Sequence, residues 1–206
     1  MDPWDAINAD RQILATYLGG LSPQEWASKT WCTQWTVKDV VAHLLVSPTM
    51  KKGQIFRGFA GSGFNLDKMS AKFVAGMSSM SAQAMTDTTR TTAGVRSAPP
   101  GLKPVGVLAE VLIHAQDIAG ALGKPISFPA DHSIMALDHL KNVQPVLGCK
   151  KRIAGLKVQA TDSSWSYGEG AVVEGPMHAL MSAMTGRKQS LDSLTGPGVA
   201  TLRARL

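Results

Sequence analysis

The stretch from Pro104 to Leu122 constrains this chain more than any other. It reads Pro-Val-Gly-Val-Leu-Ala-Glu-Val-Leu-Ile-His-Ala-Gln-Asp-Ile-Ala-Gly-Ala-Leu and is followed by Gly123 and Pro125. Proline is suited to the first turn of a helix, and a glycine followed by a proline stops one. A helix apolar on most of its sides is not an amphipathic surface helix and has to be enclosed by others. Two residues break the apolar run. Glu110 and His114 are four apart, so the helix puts them on one face, one turn from each other.

A carboxylate among Leu108, Val111, Leu112 and Ile113 is costly to bury without a cation or strong donors. No basic residue lies in that stretch between Lys103 and Lys124. A metal ion shared with His114 would meet the need, and so would an arginine or lysine brought from another helix. A second predicted helix offers a third ligand. Thr36-Val37-Lys38-Asp39 is a capping signal, with Asp in place of the usual Glu, and opens a helix in which His43 sits among apolar residues until Pro48. His43, Glu110 and His114 together make a His/Glu/His set with an open fourth position, the pattern of a catalytic rather than a structural zinc. Asp39 lies one turn before His43 and Asp117 three residues after His114. Either can serve as the carboxylate that fixes a histidine tautomer, although Asp39 also suits the cap and Asp117 a bond within its own helix.

Other elements follow from caps and periodicity. Asp2-Pro3 begins a helix with a stripe of Ile7, Ile13, Leu14, Tyr17 and Leu18, stopped by Gly19-Gly20. Ser22-Pro23-Gln24-Glu25 is a capping box for one short turn. Residues 53–63 are expected to form a loop, and 65–85 one long amphipathic helix rich in Met, Ala and Ser. A further helix is expected from Ala130 to about Asn142, ending before Pro145 and Gly148. After Lys151 the pattern changes to alternation. Residues 156–161, 164–167 and 171–174 read as strands, a helix follows Gly175-Pro176 as far as Met184, and 199–202 read as a last strand. Two domains are thus expected, a helical body over 1–148 and a small α+β domain over 149–206.

The net charge of +6 raises nucleic acid as a partner. The basic residues are dispersed, however, with no basic helix stripe and no interleaved aromatics, so nucleic acid is not expected. No uninterrupted apolar run approaches 18 residues, so no membrane partner is expected. The acidic N-terminus without an apolar core points to the cytoplasm. The two cysteines, Cys32 and Cys149, have no CxxC spacing, which excludes a thiolate-rich zinc site. Cys32 lacks a neighbouring base to activate it. His132, His139 and His178 read as surface residues, and Trp26, Trp31 and Trp35 as core or pocket wall.

The blocks Leu21-Ser22-Pro23-Gln24-Glu25-Trp26, Thr30 to Leu44, Glu110 to Ile118 and Leu122-Gly123-Lys124-Pro125 resemble the mycothiol-dependent maleylpyruvate isomerase family, within the DinB/YfiT-like superfamily. Ala160-Thr161-Asp162, Trp165, Gly175-Pro176 and Thr185-Gly186-Arg187 are similar to that family's C-terminal domain. The resemblance implies a mainly α chain: a DinB-like four-helix bundle, up-down-down-up, followed by a small α+β domain. It implies zinc or another divalent metal such as nickel on His43, Glu110 and His114. It also implies mycothiol, an actinobacterial low-molecular-weight thiol, as cofactor. A metal lowers the pKa of a bound thiol. The expected activity is therefore isomerisation of, or S-transfer to, a small electrophile, with Arg187 as the candidate holder of a substrate carboxylate. A zinc-water hydrolase on the same residues and a non-enzymatic small-ligand module are the alternatives. A homodimer is among the assemblies this reading admits.

Overall fold

The computed structural model describes residues 1–206 except Thr33, Phe64, Pro145 and Val146, and the side chain of Lys52. Pro145, expected to close a helix, therefore lies outside the described residues. The chain divides into two compact units, Met1–Ile126 and Ser127–Leu206. The helix from Ala130, placed with the helical body by the sequence reading, belongs to the second of them.

Among the described residues, seven helices make the first unit: α1 (Pro3–Gly19), α2 (Pro23–Ala27), α3 (Val37–Thr49), α4 (Lys52–Ala60), α5 (Leu66–Gly76), α6 (Ala82–Thr91) and α7 (Pro104–Leu122). Four of them form a ring in which α1 touches α6 and α7, and α3 touches α6 and α7. This is the four-helix bundle, and its core is built from Ile7, Leu14 and Leu18 of α1, Val40, Val41 and Leu45 of α3, Met85 of α6, and Leu108, Leu112 and Ile118 of α7. Full burial of each such aliphatic side chain contributes about 1.5–3 kcal/mol.

The caps form as the sequence predicts. Asp2 accepts from Trp4 N, Ser22 and Glu25 form a reciprocal box, and Thr36 and Asp39 form another. Pro48 lies within the last turn of α3. Gly123 takes the left-handed conformation, φ 63°, that ends α7.

Several expectations are corrected. Residues 53–63 are not a loop, because α4 occupies most of them, with Ile55 turned into the core. Residues 65–85 are not one helix. A break at 77–81 separates α5 from α6, and the Ser81 side chain caps the new start by accepting from Ala84 N. A run of Met, Ala and Ser has helical propensity on both sides of that serine, so periodicity alone hides the break. α7 is, among the described residues, the one helix long and apolar enough to cross a membrane, with mean hydropathy 1.4 over an 18-residue window. Of that window 67% is buried inside the protein, which makes α7 the core helix.

The second unit contains α8 (Ala130–Leu140), α9 (Cys149–Arg152), β1 (Leu156–Ala160), β2 (Ser166–Tyr167), β3 (Ala171–Gly175), α10 (Met177–Met184), a 3-10 helix (Lys188–Ser193) and α11 (Val199–Arg203). The sheet order is β2-β1-β3. β2 pairs antiparallel to β1, with Val158 opposite Tyr167, and β3 pairs parallel to it, with Val158 opposite Val173. Leu156, Val158 and Ala160 bury one face, against which the apolar helix α10 packs. The parallel pairing requires the chain to turn sharply after β2. Gly168, at φ 82°, supplies that turn where a Cβ would stand 2.3 Å from Leu156 O. The last expected strand, 199–202, is instead the helix α11. His132, expected at the surface, is 4% exposed, because α8 turns that face inward with Ala136 and Leu140.

Candidate active site

In α7 every residue from Gly106 to Ala119 is buried except two, Glu110 and His114. The helix is thus closed over nearly its whole length, and the two positions that carry donors are half-buried rather than sealed. α3 packs against α7, and His43 is half-buried amid Val40, Val41, Ala42, Leu45 and Val46, which are closed off. The His43 and His114 rings meet edge to face, with centroids 5.0 Å apart. Trp35, the residue before the capping box of α3, stands 4.9 Å from the His43 ring and 6.2 Å from the His114 ring. Trp26 belongs to the core, with 5% exposure, whereas Trp35 walls the two histidines.

Asp117 fixes one of the rings. Its carboxylate is fully buried and lies 2.9 Å from His114 Nδ1. In neutral His114 an Nδ1 proton directed at Asp117 leaves the Nε2 lone pair available. The other candidate carboxylate is used elsewhere. Asp39 Oδ2 accepts from Thr36 N at 2.9 Å and lies 2.7 Å from Thr36 Oγ1, so it closes the cap of α3.

Burial decides the charges. It holds the His43 imidazole down to about 3, helped by the neighbouring His114, so His43 is neutral at physiological pH. Burial also raises the Glu110 carboxyl, against the opposing pull of His114 and Arg11. Arg11 is a buried cation whose charge acts on Glu110. It lies on the inward face of α1, 4% exposed, donates to the Ala93 and Val95 carbonyls at 3.3 and 3.1 Å, and feels the charge of Glu110 from across the bundle. An arginine or lysine from another helix is one of the two ways of offsetting the Glu110 charge, and the inward face of α1 brings Arg11 within its electrostatic reach.

Among the described residues, no three His, Cys, Asp or Glu side chains are drawn together as a ligand set. The donor chemistry nonetheless suits a divalent ion: two histidines, one neutral through burial and the other oriented by a buried carboxylate, and a half-buried carboxylate one turn away. Arg187 lies in the second unit, just after α10, and donates to Thr185 O at 2.9 Å. His178 is exposed and His139 half-buried. Cys32 is half-buried and outside any disulfide, whereas Cys149 is fully buried and its thiol is pushed up to about 11 by burial.

Residues 8–87 match the family described as mycothiol maleylpyruvate isomerase N-terminal domain. No curated protein matches the sequence. Two solved structures share the fold. A crystal structure of the mycothiol-dependent maleylpyruvate isomerase has a TM-score of 0.62 at 15% identity, over 95% of this chain and 92% of that one. A histidine-to-alanine mutant of the mycothiol-dependent maleylpyruvate isomerase has a TM-score of 0.63 at 14% identity, with the same coverage.

Proposed function

We propose that this chain, whose residues 8–87 carry the mycothiol maleylpyruvate isomerase N-terminal domain, is a thiol-dependent enzyme acting on a small electrophile. Its reaction on this reading is isomerisation about a carbon–carbon double bond, or S-transfer, with mycothiol as the thiol. The observation that carries it is that between Gly106 and Ala119 of the core helix only Glu110 and His114 are not fully buried, and the His114 ring meets His43.

His43, Glu110 and His114 would hold a divalent metal such as zinc. When bound, the ion supplies positive charge that favours a thiolate, and the thiol supplies a nucleophile that can add to and leave a double bond. The residues of the chain perform the rest. Burial keeps His43 unprotonated, so it offers a lone pair without first losing a proton. Asp117 holds His114 with Nε2 presented. Trp35 covers one side of the histidine pair with an apolar face, which excludes water from that side.

The test separates metal from thiol. Purified protein is analysed for bound metal, loaded with cobalt, and titrated with mycothiol. One ion per chain, lost in His43→Ala, and a thiolate charge-transfer band on adding mycothiol are expected. Metal-free protein whose Tm is indifferent to added zinc sinks the reading.

A further inference from the structure

The segment that carries Trp35 is tied to itself and pinned to α7. Lys29 and Thr36 pair as an isolated antiparallel bridge. Inside it, Thr30 N donates to Trp35 O at 3.1 Å, Trp35 N donates to Cys32 O at 2.7 Å, and Cys32 N donates to Thr30 Oγ1 at 3.2 Å. These bonds tie the described residues of 29–36 into a strap, and its placement on the bundle is a separate matter.

Trp31 supplies that placement twice over. Its backbone N donates to Asp117 O at 3.1 Å, the carbonyl of the residue whose carboxylate holds His114. Its indole lies against Gly120, where a Cβ would stand 2.3 Å from Cζ2, 2.4 Å from Cη2 and 2.7 Å from Cε2 of the ring. Real side chains do not come so close, so only glycine admits the ring. Gly120 is inside α7 and takes ordinary helical dihedrals, so the backbone does not need it. Glycine at such a position costs about 1 kcal/mol relative to alanine. The seated ring is what the missing Cβ makes room for.

We propose that Gly120 is a positioning residue for the histidine pair: it seats Trp31, and the seated Trp31 holds the 29–36 strap so that Trp35 stands against His43 and His114. Neither Gly120 nor Trp31 need touch a reacting atom. The strap and α7 meet at Asp117 and Gly120, so one docking event sets the Trp35 wall and lies beside the carboxylate that orients His114. The proposal rests on reading His43 and His114 as the centre of the site, and the experiment is done on metal-free protein so that the two ideas fail separately.

The five tryptophans are replaced by 5-fluorotryptophan, and the 19F resonance of Trp35 is assigned from Trp35→Phe. The ring protons of His43 and His114 are followed alongside, since an indole within 5 Å of His43 displaces them by its ring current. Gly120→Ala and Trp31→Ala are each expected to move the Trp35 resonance toward that of a solvent-exposed tryptophan and to relax the His43 shifts. Ile7→Val, a core change in α1 that lowers Tm, is expected to leave both signals in place. The double variant is expected to shift them no further than Trp31→Ala alone, because the clash needs both partners. Unmoved Trp35 and His43 signals in folded Trp31→Ala protein overturn the proposal, as do equal shifts in Ile7→Val. Unmoved signals in folded Gly120→Ala protein overturn the role of Gly120 as well. If Gly120→Ala does not fold, the smaller ring of Trp31→Phe combined with Gly120→Ala must restore folding and the Trp35 signal, or the proposal fails. Absence of metal or thiol binding would count against the proposed activity and leave these shifts unaffected.

Discussion

Glu110 sits where a folded chain gains least from a charge. Desolvation works against its carboxylate, and the through-space attraction of Arg11, joined by that of His114 when protonated, only partly offsets it. A neutral side chain of the same shape removes that cost. Glu110→Gln is therefore expected to raise the stability of the metal-free protein by roughly 1 kcal/mol, and Tm by about 2–4 °C for a chain of this size. In the same variant metal retention should be lost, and calorimetry with and without zinc reads both effects. Asp117 acts one step further from the reacting atoms. It is fully buried and orients His114, so Asp117→Asn is expected to lower metal affinity by about 10–100-fold with helix content unchanged. Competition against a chelator measures the first, and far-ultraviolet dichroism the second.

Among the elements, the capping box of α2 carries a pH dependence. Lys124 and Ser22 hold the Glu25 carboxyl down from 4.5 to about 2. Lys124 forms an ion pair with Glu25, and Ser22 N donates to Glu25 at 2.7 Å. A carboxylate whose folded pKa lies below its unfolded value adds stability above the unfolded value and loses it as pH falls. The contribution of Glu25 is thus present above about pH 4.5 and disappears between there and about pH 2. Glu25→Gln is expected to lower the urea midpoint at pH 7 and to match the parent chain near pH 2. A constant gap between the two proteins across that range contradicts this account. The same scale holds the strap of residues 29–36, whose shape is local and whose placement depends on α7.

At the scale of the molecule, the two units bury their thiols differently. Cys149 in the second unit is inaccessible and its thiol is held near 11, whereas Cys32 in the first keeps part of its surface open. Titration with a chromogenic disulfide at pH 8 is expected to count one thiol in the folded protein and two in denaturant. Reaction of both thiols at the same rate without denaturant would mean that the second unit is open in solution.

Helix starts and stops, the alternation of β1, the apolar character of α7 and the three donors His43, Glu110 and His114 are all written in local sequence. Caps, prolines and periodicity act over a few residues, so a reader of the chain can find them. The same locality explains the failures. The break at 77–81 depends on one serine inside a helix-forming run, and the helix at 199–203 on packing that its few residues do not announce. Arg11 and Gly120 lie furthest from the reach of sequence. Arg11 looks like a charge on the edge of an apolar stripe until α7 brings Glu110 toward it, and Gly120 looks like a weak point in a helix until Trp31 lies on it. The sequence alone determined which residues could bind and which helices would carry them. Tertiary structure decided which charge faces Glu110, which carboxylate turns His114 and which tryptophan walls the pair, because those are contacts between segments far apart in the chain.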